Sequence, residues 1–191
     1  MPYPAQIDRA AAIDAACALI EAEGIESLSL AKLAAGLGIK APSLYHHFSG
    51  KAELLQGVSL RTSEGLVAAV QAAADNASGD DPRARLRAMA AAYRSFAFAH
   101  PATFALAFGA QPPDSRPDPA QLEALALPLQ AAIAALVGQA DSLAALRGFW
   151  ALVHGFVILE LNGQFQRGGD LEQTLMAAVD TYAAGIAQLK L

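Results

Sequence analysis

Few side chains in this sequence have a type and spacing that suggest chemistry. They are Cys17, four histidines (His46, His47, His100 and His154), Glu160, and a short run of hydrogen-bond donors comprising Lys40, Tyr45, His46 and Lys51. A thiol nucleophile would need Cys17 beside His46 or His47 as its base. The spacing of Ala10, Ile13, Cys17 and Ile20 instead predicts an apolar helix face, where a small inert cysteine is the ordinary outcome. His100, His154 and Glu160 do not fall at a metal-binding spacing such as His-Glu-x-x-His. No catalytic residue, metal site or cofactor is expected. The donors read differently, because lysine, tyrosine and histidine can hold an anion such as phosphate without a catalytic partner.

The elements that would position those donors are legible between Ser29 and Lys51. Ser29 is a good N-cap, and Leu30, Leu33, Ala34 and Leu37 recur at helical spacing behind it. Gly38 follows where a left-handed helix end needs a residue without Cβ. Ile39 and Lys40 complete a turn, and Ala41-Pro42 restart a helix, proline being tolerated in a first turn. Leu44 and Phe48 point back at the first helix, and Ala34 is small where the two would cross. The spacing predicts a helix-turn-helix whose second helix, Ala41 to Phe48, would enter a DNA major groove.

Around this core the chain reads as all-α, dominated by alanine and leucine, with 54% hydrophobic residues. A first helix spans 6–23 and stops at Gly24; Glu21 and Glu23 near its end oppose the helix dipole. Lys51 opens a long helix whose stripe of Leu54, Leu55, Val58, Thr62, Leu66 and Val70 runs well past the small N-terminal bundle, so this helix is expected to belong to both halves of the molecule. After a loop from Asp75 to Pro82, a helix to Ala99 carries Leu86, Met89, Tyr93, Phe96 and Ala97 on one face. His100-Pro101 interrupts it, and a short helix runs from Ala102 to Phe108. The proline-rich stretch Gln111 to Pro119 is the expected mobile loop. Ala120 to Val137 forms a further helix, bent at Pro128. Two apolar helices close the chain, with stripes of Leu143, Leu146, Trp150, Val153, Val157, Leu161 and Phe165, and of Leu171, Leu175, Val179, Tyr182, Ile186 and Leu189. The expected organisation is a DNA-binding domain over 1–50 and a helical regulatory, ligand-binding and dimerisation domain over 51–191.

The net charge of −5 over 191 residues argues against a DNA-binding chain until it is divided. From Ser29 to Arg61, Lys32, Lys40, Lys51 and Arg61 stand against Glu53 alone, four positive charges to one negative. The acidity lies elsewhere, so one basic face on an acidic body is expected. Cys17 cannot form an internal disulfide, and the start of the chain does not read as a leader. Arg147, His154 and Glu160 break the longest apolar runs, so no membrane span is expected. A cytoplasmic location is the default.

The segment from Gly24 to Leu55 resembles the TetR family of bacterial transcriptional regulators. The matching residues are Gly24, Leu28-Ser29, Leu33-Ala34, Leu37-Gly38-Ile39, Pro42-Ser43-Leu44-Tyr45, His47-Phe48, Lys51 and Leu54-Leu55. Later, Trp150, His154 and Gly155 resemble the Trp-x-x-x-His-Gly signature of one TetR branch. The resemblance implies a homodimer bearing DNA-binding domains at one end and ligand-accepting helical domains at the other. Repression is that family's usual mode, and the operator of a two-fold dimer would be pseudo-palindromic.

By resemblance, Tyr45 and Lys51 contact phosphate and His46 is a third contact; Ser29 and Lys40 flank them. Base reading would fall to Ala41, Pro42, Ser43 and His46, with Leu30, Ala31 and Lys32 near the groove edge. Small and apolar residues there discriminate through thymine methyls rather than through bidentate pairs with guanine. His47, next to Phe48, is expected to pack or cap within the bundle. In the second domain Met89, Tyr93, Phe96, Phe104, Phe108, Trp150 and His154 could line an effector cavity, or could fill a solid core. No cluster of Arg or Lys is read there, so the effector is expected to be small and largely apolar. The last two helices, with stripes too wide for one pair to bury, would form the dimer interface as a four-helix bundle. The alternative is a helical ligand-binding or scaffold module whose DNA reading has been lost.

Overall fold

The computed structural model describes residues 8–77 and 81–186. Among them every regular element is helical. They are α1 (Arg9–Glu23), α2 (Leu30–Gly36), α3 (Ala41–Tyr45), α4 (Lys51–Asn76), α5 (Pro82–Ala99), α6 (Pro101–Phe108), α7 (Pro119–Val137), α8 (Ser142–Leu161) and α9 (Leu171–Ile186). Single 3₁₀ turns occur at Ile25–Ser27 and Pro113–Ser115. The predicted start of the first helix at 6 and the predicted contact of Leu189 lie outside the described residues.

The chain forms two compact units, Met1–Glu64 with His100–Leu122, and Gly65–Ala99 with Glu123–Leu191. The division falls inside α4 rather than ahead of it at residue 50, and α6 belongs to the first unit. Three short helices expose too much of their apolar surface to make a core alone. Leu54, Leu55 and Val58 of α4 and Leu106 of α6 therefore share one cluster with Ile20, Leu33, Leu44 and Phe48.

On α1 the buried line is Ala12, Ala16 and Ile20, whereas the spacing predicts Ala10, Ile13, Cys17 and Ile20. Ala10 is exposed, and Ile13 and Cys17 lie partly buried at the flank. Two alanines on the contact line let neighbouring helices come close, and the larger side chains fill in beside them. Burial, the largest effect, raises the Cys17 thiol pKa to about 11, so it is no nucleophile at neutral pH.

The two acids near the end of α1 have partners that offset the dipole. Glu21 caps the start of α6, accepting from Thr103 N (2.8 Å), Thr103 Oγ1 (2.5 Å) and Ala102 N (3.1 Å). Glu23 pairs with Lys32 of α2. The Gln111 to Pro119 stretch, predicted to be mobile, is instead pinned. Gln111 is buried and its Nε2 donates to Leu106 O and to Ser59 Oγ. Gln56 Nε2 donates to Asp114 O (2.7 Å), and Arg116 Nε donates to Gln111 O (3.0 Å). Side-chain anchors to backbone carbonyls are invisible to a composition argument.

In the second unit α5, α8 and α9 pack together around Met89, Tyr93, Phe149, Val153, Leu175 and Val179. On α8 the buried line is Ser142, Ala145, Leu146, Phe149, Val153 and Val157. Leu143, assigned to the inner stripe by spacing, is 42% exposed. The α7 helix runs through Pro128 and buries only Leu129 and Ile133.

Two further expectations are corrected here. By length and composition α7 and α8 could each cross a membrane, with mean hydropathy 1.6, because a few ionisable residues do not lower the average of a long apolar helix enough. Two polar groups of α8 are matched within the unit, His154 by Tyr93 and Glu160 by Arg94, and Arg147 is exposed. The region also does contain a basic cluster, Arg83, Arg85, Arg87 and Arg94 on α5. Asp180 lies 3.3 Å from Arg87 and 3.9 Å from Arg83, and Glu160 and Glu172 face Arg94 at 2.6 Å and 3.5 Å. Acids distant in sequence thus offset three of the four charges.

Candidate nucleic-acid interface

The turn between α2 and α3 is built by hydrogen bonds that only a left-handed glycine permits. Gly38 has φ +66°, which lets Ile39 N reach Ala34 O (3.0 Å) and Gly38 N reach Ala35 O (3.1 Å). This pair is the Schellman closure of a helix end. At the start of α2, Ser29 Oγ accepts from Lys32 N at 3.1 Å. Ser29 is thus committed as a cap, and only its hydroxyl proton remains for a phosphate.

Helix α3 is shorter than the predicted Ala41 to Phe48. After Tyr45 the chain tightens, with His47 N and Phe48 N both donating to Leu44 O at 2.9 Å. The tightening tucks Phe48 into the core at 1% exposure. Leu44, fully buried, faces inward from the same helix. The opposite side of α3 is left outward: Pro42, Ser43, Tyr45 and His46 are exposed, as is Lys40 before them. Tyr45 is 58% exposed, so its ring is not a core residue. Ala41 is half-buried against the core cluster, which leaves it less to offer a base edge. His47 is half-buried beside Phe48, with ring centroids 6.4 Å apart. Lys51 is exposed at the start of α4, its Nζ 3.3 Å from Ile25 O.

A network that spacing does not reveal holds this arrangement. The Arg9 guanidinium lies 4.6 Å over the Phe48 ring, donates to His47 O and pairs with Glu53 at 2.8 Å. Glu53 in turn accepts from Ser49 N at 2.7 Å. That hydrogen bond first, and then Arg9, lower the Glu53 pKa to about 2. One arginine from α1 thereby joins the end of α3 to the first turn of α4. Its partners lie 38 and 44 positions away, so nothing local in the sequence points to it.

The basic balance of the segment is smaller than its composition indicates. Lys32 is paired with Glu23, and Arg61 with Asp14 at 2.9 Å. Lys40 and Lys51 remain exposed without an ion pair among the described residues.

The seven residues considered for an effector do not gather in one place. Phe104 and Phe108 belong to the first unit, their rings 4.8 Å apart. Met89 and Tyr93 are buried in the second unit and Phe96 is half-buried. Trp150 meets Tyr93 edge-on at 5.0 Å, and Tyr93 Oη lies 2.8 Å from His154 Nδ1. Burial lowers the His154 pKa, so a neutral ring accepting from Tyr93 fits the geometry. A group of three or more potential metal-binding side chains is not found among the described residues.

Comparison with known proteins matches two segments of the chain to one family. Residues 12–58 match the family described as bacterial regulatory proteins, tetR family, and residues 86–182 match the tetracyclin repressor-like C-terminal domain. An uncharacterized HTH-type transcriptional regulator of Mycobacterium tuberculosis is 33% identical over 164 residues, covering 84% of this chain and 73% of that one. A solved protein of unknown function from Rhodococcus sp. RHA1 superposes with a TM-score of 0.77 at 26% identity, covering 98% of this chain and all of the other. A TetR variant from Acinetobacter baumannii AYE, solved with minocycline, shares the fold with a TM-score of 0.70 at 22% identity, covering 97% and 99%. The outward donors on α3, the closed turn before it and these matches lead to one assignment: the chain belongs to the TetR family of DNA-binding transcriptional regulators.

Proposed function

We propose that the protein is a homodimeric, cytoplasmic repressor that leaves a pseudo-palindromic operator when a small, largely apolar ligand binds its second unit. The observation that carries the DNA half is the outward face of α3. Phosphate is held by Tyr45, His46 and Lys51, with Lys40 and the Ser29 hydroxyl at the edges. Ser43 and Pro42 read bases, Ser43 by hydrogen bond and Pro42 by contact with a thymine methyl. Ala41 contributes at most its exposed edge.

The dimer reading is supported by the outer faces of the last two helices. Ala144, Ala151, Gly155 and Leu159 follow one side of α8, away from its buried line, and Ala177, Thr181 and Ala184 do so on α9. A Cβ built on Gly155 meets nothing within 4 Å in the chain. Its smallness therefore serves no internal contact and suits a close approach by a second copy. Met89, Phe96, Trp150 and His154 are the residues proposed to meet a ligand, with Tyr93 orienting His154; Phe104 and Phe108 belong to the first unit and are not part of that site. A protein of the same fold was solved in complex with minocycline, which supports a small-molecule ligand for this chain. No reaction is proposed for any of these groups.

Selection of duplexes from a random DNA pool tests the proposal. Enrichment of a two-fold symmetric site, bound by two chains and released by an apolar compound, is the expected result. Failure to enrich any sequence would favour a helical scaffold without DNA reading.

A further inference from the structure

The first unit contains a cleft of about 810 Å³ bounded by α1, the first half of α4, the end of α6, the pinned loop after it and the start of α7. None of the seven residues considered for an effector lines it. Its size falls within the range of small-molecule sites, roughly 300–1,000 Å³. Ile13, Leu60 and Leu122 give it apolar walls, and Leu122 is 39% exposed toward solvent. Its loop side carries Pro113, Pro117 and Pro119, whose fixed φ angles restrict rearrangement.

The charged groups around the cleft are unequally committed. Arg61 is engaged by Asp14 and holds Glu64, a carboxylate on the cleft lining, at 3.9 Å; Arg9 is engaged by Glu53 and the His47 carbonyl. Asp118 Oδ1 accepts from Ala120 N at 2.9 Å, capping the start of α7. Arg116 is different. Its Nε is anchored to Gln111 O at 3.0 Å, while its two terminal nitrogens meet no carboxylate among the described residues. The anchored loop thus carries a guanidinium with unused donors on the lining of a partly apolar cleft. A planar guanidinium with two free amino groups matches a carboxylate bidentately.

We propose that this cleft is a ligand site in the DNA-binding unit, separate from the effector site proposed above, and that it takes an amphipathic monoanion. The anionic head sits on Arg116, and the apolar body lies along Leu60, Ile13 and Leu122. Arg9 and Arg61, whose ion pairs join α1 to α4, line the same cleft. Occupancy therefore bears directly on the packing that supports α3.

Calorimetric titration of the full chain with decanoate, decanol and decyltrimethylammonium tests this. Decanoate is expected to bind about tenfold more tightly than decanol, from one charge-assisted pair, and the cation not at all. Arg116→Met should reduce decanoate to the level of decanol. Should that variant fail to fold, Gln121→Glu, on the cleft lining, should weaken decanoate and spare decanol. Trp150 is the chain's single tryptophan and lies in the second unit. Decanoate should leave its emission unchanged and shift that of the indole introduced by Leu122→Trp. Absence of decanoate binding, a preference surviving both charge variants, or a response of Trp150 alone would overturn the proposal.

Discussion

Two helices expose faces of opposite chemistry. On α3 the outward residues are Pro42, Ser43, Tyr45 and His46, mostly able to donate hydrogen bonds, while Leu44 and the following Phe48 are fully inward. On α8 the outward residues are Leu143, Ala144, Ala151 and Leu159, interrupted by Arg147, so the exposed side is largely apolar and small. The first surface can satisfy an anion and read a groove; the second can only gain by burying area. The contrast separates a donor-bearing face, proposed for nucleic acid, from an apolar one, proposed for a second copy of the chain, although both belong to apolar-cored helices.

The sharpest way to break the contrast is to remove the inward anchor of α3. Phe48→Ala should lower unfolding free energy by about 3–5 kcal/mol, read from the denaturation midpoint, and a loss under about 1 kcal/mol would mean that Phe48 does not hold α3 in place. Next is the outward side of α8. Leu159→Glu should leave the helical content intact, convert dimer to monomer in sedimentation, and weaken operator binding by about 100-fold through lost avidity. A dimer of undiminished affinity would move the interface off α8.

Smaller effects sharpen the DNA face. Lys51→Ala and Tyr45→Phe should weaken binding to all duplexes alike. If each removes one phosphate contact, the log–log salt slope falls by about 0.9 per variant; an unchanged slope would take that residue off the contact list. The smallest effect is expected at Glu53. Its pKa is lowered to about 2 in the folded chain from an ordinary 4.5, so its stabilisation is present above pH 4.5 and disappears as pH falls toward 2. Thermal melts across that window should show Glu53→Gln with a shallower acid loss than the wild type, and parallel curves would mean that the Arg9–Glu53 link adds no stability.

The helix-turn-helix was legible because its signals are local. Ser29, Gly38 and Pro42 each meet a backbone requirement within a few residues, and Leu33, Ala34 and Leu44 mark their buried sides through spacing alone. Lines of burial on long apolar helices were less legible. On α1 and α8, most residues are alanine, leucine or another apolar type, so several stripes fit equally well and only the neighbours choose among them. The pinned loop was not legible either, because Gln56, Gln111 and Arg116 act on carbonyls that any sequence possesses. Arg9 was missed for the same reason, its partners being remote in the chain.

By itself, then, the sequence determined an all-α chain, a closed turn at Gly38, an inward Leu44 and Phe48, and the donors that flank them. Those outcomes follow from short-range sterics and periodicity, which one segment contains in full. Tertiary structure decided that α6 joins the first unit, that Lys32 and Arg61 spend their charge internally, that Arg9 secures α3 to α4, and that a cleft with a half-used Arg116 stands beside the DNA-binding helices. Each depends on which distant groups meet, and the free energy of such a meeting is a property of the pair rather than of either residue.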